Sequence, residues 1–241
     1  MSKSRLEQVG RVHVLTLTDA SKRNAIGLEL AGELVEHAHS LAEARAVVVT
    51  GEGTAFCAGA DLPDVFGEER PTSEMREVLR GYYDCFLAFR ALPCPTFAAV
   101  NGAAVGAGLN LAMSCDVRIA GPQARFGATF TKIGLHPGGG CTWFLVEAVG
   151  RERALRMLLE GATLDATEAV DLGLASELAD DPLARALSLA EQVAELDPWL
   201  ARSVKQAASL SGFEAVLDFE SQAQAESTHS PQFRDWINQF K

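Results

Sequence analysis

The stretch "TFAAVNGAAVGAGLNLAM" (96–113) joins three kinds of local structure. Its opening run, TFAAV, is short, apolar and bounded by small residues, which is typical of a strand buried on both faces. The glycines and alanines that follow predict a tight loop whose backbone N–H groups can approach a ligand closely. The run GLNLAM predicts a helix, and its first N–H groups have no partner inside the helix and carry the positive end of its dipole. The stretch therefore predicts a strand, a loop with free backbone donors, and a helix.

An earlier stretch repeats the strand and the small-residue loop. "AVVVTGEG" (46–53) is another continuous apolar run that ends in glycines, and "GTAFCAGADL" (53–62) is the loop that follows it. Each loop alone is compatible with an ordinary turn between a strand and a helix. Two backbone N–H groups that converge from such loops would form an oxyanion hole, which stabilises negative charge on a carbonyl oxygen.

Further strands and helices are predicted on both sides of these stretches. Residues 12–18 and 117–121 have the β-branched, apolar character of strands, and residues 28–44 place apolar side chains at helical spacing. From about residue 143 the sequence is helix-like, with glycines as punctuation. We therefore predict an α/β fold whose last third is helical.

The domain organisation follows from this change of pattern. We predict a spiral core over residues 1–190 and a C-terminal helical region over 191–241, the two forming one functional domain. The helical region is too small and too apolar to be stable alone. Its exposed apolar surface suggests oligomerisation.

Composition and charge exclude several classes of protein. The chain has 241 residues, of which 48% are hydrophobic, and a net charge of −11, which repels nucleic acid. The N-terminus lacks the apolar segment of a signal peptide, and no apolar run has the length of a membrane span. The five cysteines lie in apolar contexts, as reduced thiols do. We expect a cytoplasmic protein that binds no nucleic acid and does not span a membrane.

Two common phosphate-binding motifs do not fit the glycine-rich loops. The loop GAAVGAG lacks the G-x-G-x-x-G spacing of a dinucleotide fingerprint, and HPGGGCTW lacks the Gly-Lys-Ser/Thr of a P-loop. The sequence therefore predicts neither a dinucleotide-binding site nor a P-loop.

Four stretches in this order resemble the signatures of the enoyl-CoA hydratase/isomerase family, also called the crotonase family. They are "TGEGTAFCAGADL" (50–62), "PTFAAVNGAAVGAGLNLAMSCDVRIAG" (95–121), "ARFGATFTKIGLHPGGG" (124–140) and "LLEGATLDATEAVDLGLAS" (158–176). The resemblance implies a crotonase-type spiral of ββα repeats with a C-terminal α-helical trimerisation region. It also implies a homotrimer or hexamer that binds an acyl-CoA thioester, with no other cofactor and no metal.

The resemblance also implies roles for particular residues. Ala60 and Ala107 hold the positions whose backbone N–H groups form the oxyanion hole. The residues expected to contact CoA are Lys22, Arg23, Ala25, Ala58, Asp61 and Leu62. Lys22 and Arg23 could supply the local positive charge that phosphates need, although a solvated turn is the alternative. Phe240 and Lys241 resemble a C-terminal region that can reach a CoA.

At the positions where the family carries its catalytic acids, this chain has no acidic residue. Hydratases of the family use two glutamates, and their positions here hold Asn110 and Phe130. A further position, which often carries an aspartate in relatives with other activities, is Gly138. Positioned general acids and bases contribute roughly 10²–10⁴ in rate each, so the standard hydration mechanism is not expected to operate.

Other residues are candidates for the missing proton transfer. His136 is the leading one, because it lies in "GLHPGGG" and histidine titrates near neutrality, although a surface turn is the alternative. Cys141 is a weaker candidate, since an apolar setting disfavours the thiolate. Glu68, Glu69 and Glu74 follow the first loop, and one of them could face the acyl pocket.

Two functions remain open from the sequence. One is an acyl-CoA lyase, isomerase or hydrolase that uses the oxyanion hole with a non-standard group for proton transfer. The other is a catalytically silent protein that binds or carries a fatty acyl-CoA.

Overall fold

Two β-sheets organise the computed structural model, which describes residues 2–240. The larger sheet contains, in spatial order, β1 (Ser4–Val9), β2 (Val12–Leu17), β3 (Ala46–Gly51), β5 (Thr96–Val100), β7 (Val117–Ala120) and β10 (Glu177–Leu178). The smaller sheet contains β4 (Ala55–Cys57), β6 (Ala103–Val105), β8 (Arg125–Gly127) and β9 (Thr163–Asp165). Neighbouring strands are parallel except for β1 with β2 and β8 with β9. The four strands predicted around residues 12, 46, 96 and 117 are confirmed as β2, β3, β5 and β7.

The chain repeats one unit, a strand of each sheet followed by a helix. After β3 and β4 come α2 (Leu62–Phe66) and α3 (Thr72–Arg90), after β5 and β6 comes α4 (Ala107–Ser114), and after β7 and β8 comes α5 (Cys141–Val149). The first unit is shorter. Between β2 and α1 (Leu28–Ser40) its second strand is reduced to a single parallel bridge from Ile26 to Ala60.

Alternate residues of the central strands enter two different apolar cores. Val47 and Val49 of β3 belong to the main core between the sheets, whereas Ala46 and Val48 belong to a second core on the other face of the larger sheet. Successive strand side chains point to opposite faces, so a strand covered on both sides must be apolar throughout. This explains why the sequence of β3 shows no polar alternation.

Helices make up most of the described chain after α5, and they pack on different parts of the fold. They are α6 (Arg151–Glu160), α7 (Ala166–Asp171), α8 (Pro182–Ala194), α9 (Pro198–Ser209), α10 (Phe213–Ser227) and α11 (Pro231–Asn238). The last third is helical as predicted, except for the short strands β9 and β10. The predicted boundary at residue 190 falls inside α8. That helix belongs to the core because Ala186, Ala190 and Ala194, spaced one turn apart, are buried against the sheet.

The last two helices expose apolar side chains. Neither α10 nor α11 has a buried residue in the described part of the chain, and the side chains of Phe213 and Trp236 are 75% and 53% exposed. Large exposed aromatic groups of this kind mark interaction surfaces. Within residues 2–240, none of the helices combines the length and the apolar character that crossing a membrane requires.

Helix α4 lies directly on strand β4 because residue 108 is glycine. A Cβ built on Gly108 would lie 2.8 Å from the Cβ of Cys57 and closer still to the carbonyl oxygen of Cys57. The backbones of the helix and the strand are therefore in contact, without a layer of side chains between them. This contact places the start of α4 beside the loop that follows β4.

The first prediction tests this contact. We expect Gly108→Ala to lower the free energy of unfolding by about 2 kcal/mol, because the added methyl group forces helix and strand apart. Gly32→Ala on α1 is the matched control, since nothing lies within 4 Å of a Cβ there. It should leave stability unchanged or raise it by up to about 1 kcal/mol. Urea denaturation of both variants measures the difference, and equal stabilities would contradict the contact.

Candidate active site

The two small-residue loops enclose a cavity of about 210 Å³, which we call the loop cavity. Its wall is formed by the loop 58–60, the loop 105–107, one face of α3, and the segment 129–138 that follows β8. The lining side chains are mainly apolar. None of the lining residues, within the part of the chain that the structure describes, is an Asp, Glu, Lys or Arg.

Two backbone N–H groups at the loop cavity have no hydrogen-bond acceptor within residues 2–240. The parallel bridge between Ile26 and the first loop uses Gly59 O, which accepts from Ile26 N at 2.8 Å, and Asp61 N, which donates to Ile26 O at 2.9 Å. In a parallel bridge the residue between those two groups, Ala60, points its N–H away from the partner. Ala107 is the first residue of α4, so its N–H has no acceptor inside the helix. Both alanines line the cavity.

Glycines at positive φ bring the two loops together. Gly59 has a φ of +117° and Gly106 a φ of +56°. A Cβ on Gly59 would lie 4.0 Å from the nitrogen of Ala107, and a Cβ on Gly106 would lie 3.9 Å from the Cα of Gly59. Because both conformations favour glycine, the loops can meet without a side chain between them. The geometry is compatible with two amides that converge on one oxygen atom.

The three positions that lack the family's acids all lie on the cavity wall. Asn110 is 2% exposed, and its Nδ2 donates to the carbonyl oxygen of Gly138 at 2.9 Å. Its Oδ1 has no partner within the described residues. The ring of Phe130 lies against Gly106, 3.9 Å from a Cβ built there. The structure therefore brings Asn110, Phe130 and Gly138 together, as the resemblance implies, with no carboxylate among them.

His136 lies at the exposed rim of the loop cavity. Its Nδ1 lies 2.7 Å from the carbonyl oxygen of Pro137. A carbonyl oxygen only accepts, so Nδ1 carries a hydrogen in this contact and Nε2 of the neutral ring is left as an acceptor. The position and the tautomer fit a base at the cavity mouth.

The prediction that Cys141 or one of three glutamates lies at the cavity is wrong. Cys141 is buried in the apolar core, where desolvation raises its pKa to about 12, and it does not line the cavity. Glu68, Glu69 and Glu74 are exposed and also lie outside the cavity wall. Glu68 and Glu69 lie in the segment between α2 and α3, and Glu74 lies in the first turn of α3 on the side away from the core.

The residues expected to contact CoA lie at and beside the cavity. Ala58 and Leu62 line it, whereas Lys22, Arg23 and Ala25 belong to a neighbouring turn. Arg23 O accepts from Ala58 N at 3.0 Å and so joins the turn to the first loop. The ring of Phe240 packs on the ring of Trp236 in α11, and Lys241 lies outside the described residues.

Lys22 and Asp61 form an ion pair at the edge of the site, with 2.6 Å between Nζ and Oδ2. This one hydrogen bond lowers the pKa of Asp61 and raises the pKa of Lys22. Lys22 is half exposed, and its ammonium group has two further hydrogens for a phosphate. The pair holds the Lys22 side chain near the first loop.

Two residues of the site, Asn24 and Tyr83, are not predicted by the sequence motifs. Asn24 has a φ of +58°, and its buried Nδ2 lies 2.9 Å from Ala55 O and 3.2 Å from Phe56 O, which fixes the turn against β4. Asparagine tolerates the left-handed conformation, so "KRNA" carries a weak signal for it. Tyr83 lines the cavity, and burial raises its pKa. Nothing in the sequence indicates which face of α3 carries Tyr83.

The fold and the site together define an α/β protein of the crotonase class, with an apolar cavity between two small-residue loops. The family model for enoyl-CoA hydratase/isomerase matches residues 7–241. A probable enoyl-CoA hydratase of Mycobacterium tuberculosis is 44% identical over 234 residues, covering 92% of this chain and 91% of the relative. The 2,3-dehydroadipyl-CoA hydratase of Escherichia coli is 35% identical, over 86% of this chain and 82% of its own length. The chain belongs to the enoyl-CoA hydratase/isomerase family.

Solved structures agree on the fold. An enoyl-CoA hydratase from Bacillus anthracis superposes with a TM-score of 0.92 at 29% identity, covering 99% of this chain and 96% of that one. A Thermobifida fusca protein assigned as an enoyl-CoA hydratase, solved in complex with CoA, gives a TM-score of 0.85 at 34% identity over 94% and 93% of the two chains. The predicted crotonase-type fold is confirmed.

The second prediction concerns the two amides. We expect Ala107→Val to weaken the binding of crotonyl-CoA at least about tenfold, because the added methyl groups fill the cavity beside the amide and displace the thioester oxygen. Ala184→Val, at an exposed position of α8 far from the cavity lining, is the matched control. Calorimetric titration measures both affinities, and melting curves verify that both variants fold. Unchanged affinity of the Ala107 variant would refute the role of this amide.

Proposed function

We propose that this chain binds an acyl-CoA thioester and holds its carbonyl oxygen between the N–H groups of Ala60 and Ala107. The observation that carries the proposal is the pair of unpartnered amides at one cavity. A thioester oxygen needs hydrogen-bond donors most when it becomes an enolate, since the developing charge then lies on that oxygen. Two fixed donors supply this stabilisation without reorganisation.

The rest of the cavity strengthens this effect. Phe86, Phe130 and other apolar side chains form most of the wall, and none of the described lining residues is an Asp, Glu, Lys or Arg that would compete for the amides. Electrostatic interactions are stronger in such a low-dielectric setting than in water. Removing one donor of an oxyanion hole typically costs about 3 kcal/mol of transition-state stabilisation.

Coenzyme A would lie with its charged part outside the cavity. Lys22 and Arg23 are exposed on the turn beside the first loop, where they offer local positive charge on a protein whose net charge is −11. The CoA complex of the Thermobifida fusca relative supports this part of the proposal. The phosphates of CoA would thus meet basic side chains while the acyl group enters between the loops.

The proposed chemistry requires no carboxylate. Oxyanion stabilisation alone can support thioester decarboxylation or hydrolysis with little acid–base help, and a non-standard lyase or isomerase would need one group that exchanges protons. His136 is the candidate for that group, because its Nε2 is left as an acceptor at the cavity mouth. Asn110 orients a neighbouring group through its amide but does not exchange a proton at neutral pH.

A second candidate function is a catalytically silent acyl-CoA binding or carrier protein. The observation in its favour is the replacement of both acid positions by Asn110 and Phe130 while both amides stay accessible. Under this alternative the cavity binds the thioester and no bond is broken.

We also propose that the chain assembles as a trimer or a pair of trimers through its C-terminal helices. The exposed aromatic side chains of α10 and α11, with Phe213 and Trp236 among them, would be buried in such an assembly. Burial of apolar area is the main driving force of obligate interfaces.

The third prediction separates the wild-type chemistry from standard hydration. We expect the protein to hydrate crotonyl-CoA at least about 10³-fold more slowly than the typical enzyme rate of ~10 s⁻¹, because both acid positions are neutral. Loss of the enoyl absorbance measures the rate, and calorimetry on the same preparation measures binding. A rate near 10 s⁻¹ would contradict the prediction, and a loss of that rate in His136→Ala would then assign the proton transfer to His136.

The fourth prediction concerns assembly. Light scattering after size-exclusion chromatography should give three or six times the chain mass of 25.7 kDa. Trp236→Glu should shift the mass toward one chain, because a carboxylate would be buried without a partner. Glu214→Ala, a change at an exposed polar position of α10, is the control and should leave the mass unchanged. A wild-type mass of one chain would exclude the assembly.

A further inference from the structure

Tyr82 of α3 is hydrogen-bonded to the backbone that holds the first loop in place. Its ring lines the loop cavity, and its hydroxyl donates to the carbonyl oxygen of Ile26 at 3.0 Å. The same carbonyl oxygen accepts from Asp61 N at 2.9 Å, which is one of the two hydrogen bonds of the bridge between Ile26 and the first loop. One oxygen atom therefore joins the wall of the cavity to the backbone next to Ala60.

The two proposed amide donors are held in different ways. Ala107 is the first residue of α4, so the geometry of a helix fixes the direction of its N–H, and Gly108 seats that helix on β4. Ala60 lies outside the strands of both sheets and is joined to Ile26 by an isolated bridge. Backbone with few neighbouring hydrogen bonds opens more easily than a ladder or a helix does. The direction of the Ala60 N–H therefore depends more on contacts from other parts of the fold.

The surroundings of Tyr82 make its hydroxyl a fixed donor. The residue is almost fully buried, and its ring packs edge-on against Tyr83 and Phe86, with each centroid 6.4 Å away. Burial raises the pKa of Tyr82, which keeps the hydroxyl protonated at neutral pH. A donor that is held in this way restricts the direction of the carbonyl group that accepts from it.

We infer that Tyr82 is a positioning residue of the oxyanion hole, which acts on the Ala60 amide through the carbonyl group of Ile26. This inference rests on the proposed binding of an acyl-CoA thioester between the two loops. The hydroxyl fixes Ile26 O, and the bridge transmits this position to the peptide groups on both sides of Ala60. The α3 wall of the cavity thus orients an amide that belongs to the first loop.

Packing alone does not account for the hydroxyl of Tyr82. A phenylalanine would fill the same part of the cavity wall, and Ile26 O already accepts from Asp61 N. A buried hydroxyl needs a hydrogen-bond partner, and a bond that only satisfies this need would affect stability alone. A positioning role predicts, in addition, an effect on the bound thioester.

The test measures the polarisation of the bound carbonyl group directly. Butyryl-CoA labelled with ¹³C at the thioester carbonyl is compared, free and bound, by infrared difference spectroscopy. We expect the carbonyl band to shift to lower frequency in the wild-type complex, because two fixed donors polarise the bond. Tyr82→Phe should lose about half of this shift or more, since one of the two donors is displaced. Calorimetric titration gives the concentrations that saturate each variant.

Thr50→Val is the matched control. Thr50 is as deeply buried as Tyr82, and its hydroxyl also donates to a backbone carbonyl oxygen, that of Ala99, at 3.0 Å. This bond lies between β3 and β5 and outside the cavity lining. A buried hydrogen bond contributes about 1 kcal/mol, so both variants should fold and melt at a slightly lower temperature. The carbonyl band should change in Tyr82→Phe and stay unchanged in Thr50→Val.

Two further measurements separate positioning from a general loss of stability. Replacing Tyr82 with 4-aminophenylalanine keeps a donor on the same ring and should restore most of the shift. In the free protein, hydrogen exchange followed by mass spectrometry should be faster in Tyr82→Phe for peptides that contain the bridge amides of Ile26 and Asp61. Thr50→Val should leave the exchange of these peptides unchanged.

The outcomes distinguish this inference from the proposed function. A band that is shifted in wild type and equally shifted in Tyr82→Phe would overturn the role of Tyr82 and leave the proposed function standing. Equal losses in Tyr82→Phe and Thr50→Val would also overturn that role, as would a folded 4-aminophenylalanine variant that restores none of the shift. A wild-type complex whose band matches that of the free thioester would overturn the oxyanion hole and this inference together.

Discussion

The contact between helix α4 and strand β4 is the constraint on which the site depends. Glycine at position 108 lets the helix backbone rest on Cys57, and this contact brings the N-terminus of the helix to the loop after the strand. Ala107, the first residue of the helix, then lines the same cavity as Ala60. A layer of side chains between helix and strand would separate the two amides by several ångströms. A single missing methyl group therefore decides how closely the first turn of α4 approaches the loop that contains Ala60.

The loops themselves are held from outside the cavity. Asn24 fixes the first turn to the carbonyl oxygens at β4, and the bridge between Ile26 and Ala60 uses the backbone groups on both sides of the alanine. That bridge satisfies Gly59 O and Asp61 N and leaves the N–H of Ala60 unpaired. The backbone groups that hold the loop in place are thus on the side away from the cavity.

The chemistry of the cavity is set by what surrounds the amides. With Asn110 and Phe130 at the acid positions and an apolar wall, the described residues around the cavity offer hydrogen bonds but no carboxylate. The candidate proton-transfer groups among these residues are His136 at the rim and the tyrosine hydroxyls. Under the proposed function, this arrangement would stabilise charge on a thioester oxygen without the two carboxylates that hydration uses.

The sequence by itself determined the class of fold, since continuous apolar strands and glycine-rich loops specify a core covered on both faces. It also determined that the acids are missing and that Ala60 and Ala107 are candidate donors, because motif positions are local. It did not determine the smaller sheet, whose strands are three residues long, or the place of α8 in the core. Only the tertiary structure decided that Cys141 and the three glutamates lie outside the cavity and that Tyr83 lies inside. The direction of a side chain on α3 depends on how that helix packs, and long-range packing is not encoded in any short stretch of sequence.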